Sequence, residues 1–118
     1  MKRLALSILL VLLLAFVCVS SAADHYTTTR LTADGVITNQ PALWYGILIE
    51  TDGTNNVTLV LYNSKSGATN EVIGKMIVAG SNYYGGVAYP FGIICSEGIF
   101  ADVTGTGAAF WVYYGPRE

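Results

Sequence analysis

Glu50, Asp52, Glu97 and Asp102 are the side chains from which chemistry would be built here. Two carboxylates, one held as an acid and one as a base or nucleophile, suffice to cleave a glycosidic bond. Each of the four falls at or beside a turn signal, however, and solvated acids collect at turns for reasons unconnected with catalysis. The stretch "ETDGTNN" also offers Glu50, Asp52, Asn55 and Asn56 as hard oxygen ligands for calcium, but it lacks the alternating D-x-[DN]-x-[DN]-G register of a calcium loop. His25 is the single histidine and stands close to the expected start of the mature chain, where backbone is seldom held firmly enough for a general base. Together with Cys95 it cannot supply the three or four ligands that zinc needs. "GTG" at Gly105 to Gly107 precedes no helix, so it is not a phosphate loop. The inventory points away from an enzyme: no catalytic residue, cofactor or metal is expected.

Binding is better provided for. Tyr83, Tyr84 and Tyr89, with Trp44 and Trp111, could stack on sugar rings, although aromatic residues are also what strands prefer. "NVT" at Asn56 to Thr58 matches an N-glycosylation sequon.

These residues sit behind an apparent secretory leader. Lys2 and Arg3 precede an apolar run from Leu4 to Val19, and "SSAA" follows just before Asp24. Small side chains at the −3 and −1 positions fit cleavage after Ala22 or Ala23, so the mature chain is expected to begin at Ala23 or Asp24. The apolar run is shorter than the roughly 20 residues of a bilayer span and lacks a stop-transfer flank, so no stable membrane span is expected after cleavage. Acylation at Cys18 is disfavoured by the bulk of Val17. Localisation is expected to be secreted or extracellular, with the periplasm or cell surface as variants.

Residues 24–118 then form one small domain, with four basic residues against eight acidic ones and a formal charge of −4. The basic residues are scattered. Counterion release requires a clustered basic face, so nucleic acid is excluded as a partner. Cys95 is left without an internal partner, and its place in the run Phe91, Ile93, Cys95 reads as a small buried hydrophobe.

From Tyr26 onward the apolar pattern has period two and is cut by Gly, Asn and Asp at short intervals. Strands are expected over 26–31, 36–38, 43–50, 57–62, 72–78, 87–95, 99–104 and 108–114. Gly74 suggests a bulge, and Pro90 assigns its strand to an edge or divides it in two. Such a series without helices predicts an all-β, antiparallel β-sandwich or jelly roll in a single domain.

The segments "LTADGVITN", "GILIETDGTNNVTLVLYN" and "GIFADVTGTGAAFWVYYG" together resemble the small all-β proteins of tailed-phage structural gene clusters. The likeness runs from about Arg30 to Tyr114. It implies a component of virion surface or assembly, and a member carrying a leader would serve a cell-surface or extracellular structure.

Two strands are apolar on both faces. In the last, Ala108, Phe110, Val112 and Tyr114 form one row, while Ala109, Trp111 and Tyr113 form the other. In the third, Leu43, Tyr45, Ile47 and Ile49 are expected on one side and Trp44 and Leu48 on the other. An antiparallel strand with one wet face alternates apolar with polar, and these do not. The expectation is an interface made by Trp44, Leu48, Val60, Tyr62, Trp111 and Tyr113 on one outer sheet face, with Tyr26 to Arg30 free to add to a neighbour's sheet edge. The function implied is self-assembly as a homo-oligomeric structural protein. The alternative is an extracellular carbohydrate-binding module with a cell-surface or glycan partner.

Overall fold

Glycine, asparagine and aspartate break the β-forming runs into eight strands: β1 (Tyr26–Thr27), β2 (Gly35–Thr38), β3 (Ala42–Glu50), β4 (Val57–Asn63), β5 (Glu71–Val78), β6 (Tyr84–Cys95), β7 (Ile99–Thr104) and β8 (Ala109–Pro116). The structure is a computed structural model that describes residues 25–117; the leader and its cleavage point lie outside them. One 3-10 turn at Gly80–Asn82 joins β5 to β6.

The strands form two four-stranded antiparallel sheets, here called A, in the order β1-β8-β3-β6, and B, in the order β2-β7-β4-β5. Four partnerships, β1 with β8, β2 with β7, β3 with β6 and β4 with β5, nest inside one another. The chain is thus a long antiparallel hairpin rolled into a sandwich, which is a jelly roll. Between the sheets lies one core, built on Trp44, Ile47 and Ile49 of β3, Leu59 and Leu61 of β4, Ile99 of β7, and Phe110 and Val112 of β8.

Strict alternation would put Trp44 on the opposite face from Ile47 and Ile49 only if the strand ran without interruption; by parity Trp44 would accompany Leu48. The register instead shifts between Trp44 and Gly46, leaving Tyr45 as an extra residue opposite β8. A single extra residue exchanges the faces of everything beyond it. Trp44, Ile47 and Ile49 therefore all enter the core, at 1%, 2% and 0% exposure, and Leu48 faces outward. The expected placement of Trp44 on an outer face is corrected accordingly. Its indole N–H donates to the Gly46 carbonyl at 2.9 Å, and its ring lies over Gly74, where a side chain would collide with it.

The segment expected to be free for a neighbour is also occupied. Tyr26 and Thr27 pair with Tyr114 and Tyr113, the Thr28 N–H donates to the Val112 carbonyl, and Leu31 exchanges two hydrogen bonds of 2.9 Å with Phe110. This stretch closes the β8 edge of its own sheet, because β8 would otherwise expose its ladder groups.

Candidate functional site

The outer face of sheet A is laid out by cross-strand register. Gly86, Leu48 and Trp111 form one row, Ala88, Gly46, Tyr113 and Thr27 a second, and Ile94, Leu43 and Gly115 a third. Leu48, Trp111 and Tyr113 are half-buried by one another and by their neighbours. At the end of this face Glu50 accepts a hydrogen bond from Arg30 Nε at 3.1 Å, so its charge is paired.

Val60 and Tyr62 are elsewhere. They project from the outer face of sheet B, where Val36, Phe100, Tyr62 and Val72 form an apolar row across all four strands. The expected six-residue interface is thus divided three ways: Trp44 in the core, Leu48, Trp111 and Tyr113 on sheet A, and Val60 and Tyr62 on sheet B. Sequence parity assigns residues to faces within a strand, but it does not say which strands share a sheet.

What the sequence reading missed is a cleft beside Tyr113. Between the pairs Gly46 with Ala88 and Trp44 with Ile93, the four residues Tyr89 to Gly92 of β6 stand opposite the single residue Tyr45 of β3. Pro90 fixes the backbone before the tip of this bulge, and Gly92, at φ +76°, turns the chain back into the ladder. Together with the N-terminal segment the bulge walls a cleft of about 430 Å3, lined by His25, Tyr26, Thr27, Tyr45, Ala88, Tyr89, Pro90 and Tyr113. The His25 ring stacks on Tyr45 with centroids 4.0 Å apart. Of the tyrosines and tryptophans first considered for sugar stacking, only Tyr89 reaches the cleft. The detectable signal was "YPFG", in which Pro and Gly flank an aromatic residue inside a strand run.

At the tip of the same bulge Phe91 is 95% exposed, and Ile94 beyond it is 58% exposed. A phenyl ring held almost wholly in water is uncommon among soluble proteins.

The acids do not converge. Asp52 accepts the backbone N–H groups of Thr54 and Asn55 and the side-chain amide of Asn55, and the Asn55 hydrogen bonds above all hold its carboxyl below the usual range. The Asn56 side-chain oxygen accepts the Gly80 N–H at 2.9 Å. Glu97 lies beside Lys65 at the opposite end of the sandwich, where its own N–H is held by Asn63. Asp102 faces outward on sheet B next to Asp34; burial and then the Asp34 charge raise its pKa. Among the described residues no group of three or more His, Cys, Asp or Glu is placed to hold a metal ion, and no helix is long and apolar enough to cross a membrane. Cys95 is fully buried, and burial pushes its thiol up to about 11.

No family model, no curated protein and no solved structure matches this chain. The reading of its function therefore rests on its own geometry.

Proposed function

We propose that this protein is a secreted, non-catalytic jelly-roll subunit that works by associating with further copies of itself. The observation that carries the reading is the outer face of sheet A, where Leu48, Trp111 and Tyr113 form a continuous apolar surface running on to exposed Ile94 and Phe91 at the β6 edge. Surfaces of this kind, rimmed by a paired charge, mark protein contacts. The four candidate acids each have separate partners or positions, which supports a role without hydrolysis. Jelly rolls serve both as capsid subunits and as lectins, so the fold does not decide between assembly and sugar binding. The apolar outer face of sheet A favours assembly, and a leader of the kind read at residues 1–23 would direct that assembly outside the cell.

Light scattering on residues 24–118 tests the reading. The expected result is a defined oligomer that Trp111→Ser dissociates with the β-sheet circular dichroism unchanged. A wild-type monomer at high concentration refutes it.

A further inference from the structure

We propose that Phe91 of one copy fills the tyrosine cleft of a second copy while the second copy's Phe91 fills the cleft of the first. This rests on the self-association just proposed and names the contact that carries it.

The knob and the cleft arise from one insertion. Ala88, Tyr89 and Pro90 form a wall of the cleft, and Phe91 is the next residue along the chain. Phe91 is 95% exposed and follows directly on Pro90 of the cleft wall, so knob and hole are neighbours, and neighbours of this kind can be matched by a twofold axis that forms two contacts at once and closes the assembly as a dimer. Knob and hole far apart would generate open chains instead.

The cleft is chemically suited to a phenyl ring. Among the described residues its walls are four tyrosine rings, the His25 imidazole, a proline, an alanine and a threonine, with no carboxylate, and tyrosine rings receive another aromatic ring edge-on or offset. A cavity of about 150 Å3 already takes benzene, so 430 Å3 admits the ring with room for its approach.

Area argues the same way. Three strands about 4.8 Å apart and about 27 Å long, with the two-residue β1 beside them, give a face of roughly 400 Å2, or about 800 Å2 buried by a pair, which is short of the 1,200 Å2 or more that stable interfaces bury. Two phenylalanines at about 150–250 Å2 each bring the total to about 1,100–1,300 Å2, the lower edge of that range. Pairing of β6 edges is not an equivalent route, since Pro90 and the bulge interrupt the ladder groups that a neighbouring strand would need.

The test uses the mature protein, residues 24–118, with two exposed positions changed. Phe91→Ser removes the knob and keeps the cleft; Ala88→Trp fills the cleft and keeps the knob. Sedimentation should show dimerisation weakened at least about 100-fold in each, because each has lost both contacts. When unlabelled Ala88→Trp is titrated into labelled Phe91→Ser, the Tyr45 and Tyr113 resonances of the latter should shift, as one knob meets one open cleft. A dimer that keeps its wild-type affinity in Phe91→Ser overturns this contact but leaves self-association standing. Unmoved cleft resonances in the mixture overturn it as well. A monomeric wild type overturns both readings, and if that monomer binds neutral oligosaccharides with loss on Tyr113→Ala, the cleft belongs to a sugar.

Discussion

The two outer faces of the sandwich hold comparable amounts of apolar side chain and differ in where charge is placed. On sheet B the apolar row of Val36, Phe100, Tyr62 and Val72 is followed by one in which Val60 stands between Asp102 and Lys75. On sheet A the rows through Leu48 and Tyr113 contain no charged residue, and Glu50 enters only at the end, already paired with Arg30. Two opposite charges across the middle of a sheet hold water there and make a dry contact costly. The same apolar content therefore yields one face that stays wet and one that can be covered.

Exchanging tryptophans between environments breaks the comparison most severely. Trp44→Ala empties the core between Gly74 and Tyr89 and should cost about 3–5 kcal/mol, whereas Trp111→Ala on the outer face should cost about 1 kcal/mol in the monomer; urea titration of both measures the difference. Next in size is making face B resemble face A. Asp102→Leu with Lys75→Leu removes the charged row, and light scattering should then show species larger than those of the wild type.

Cys95 sharpens the contrast between interior and surface. With its thiol held up to about 11 and fully buried, iodoacetamide at pH 8 should leave it unmodified in the native protein and label it in urea, as read by mass spectrometry. The smallest effect is on Asp102. Its pKa is raised in the folded state, so its protonated form favours folding at low pH and that contribution is lost as pH rises through the folded value. Asp102→Asn should accordingly raise the melting temperature slightly at pH 7 and leave it unchanged at pH 3, as thermal denaturation at the two pH values measures.

Much of this architecture could be read from the residues. All eight strands occur where period-two runs meet turn residues, and the last strand divides into a core row and an outer row as its alternation predicts. Pro90 lies on an edge strand, as expected for a residue without an N–H. The site was less legible because it depends on two bulges. The extra Tyr45 moved Trp44 inward, and the excursion of Tyr89 to Gly92 raised Phe91 and opened the cleft. Parity cannot be carried through a bulge whose position is unknown. The cleft also joins His25, Tyr26, Tyr45 and Tyr113, which are brought together by the long-range pairings of β8 with β1 and with β3.

The position of β8 has a consequence for how the molecule is made. β8 is the last of the described strands and an inner strand of sheet A, between β1 and β3, whereas all four strands of sheet B have been made by Thr104. A growing chain can complete sheet B while β3 and β6 are still a two-stranded ribbon and the N-terminal segment has nothing to pair with. Sheet A closes in a single late event, when one strand docks between partners 59 to 74 and 86 to 88 residues behind it in the sequence. Such distant closures are slow. Until that moment the outer face of sheet A is unfinished, so the surface proposed for association comes into being only when β8 docks.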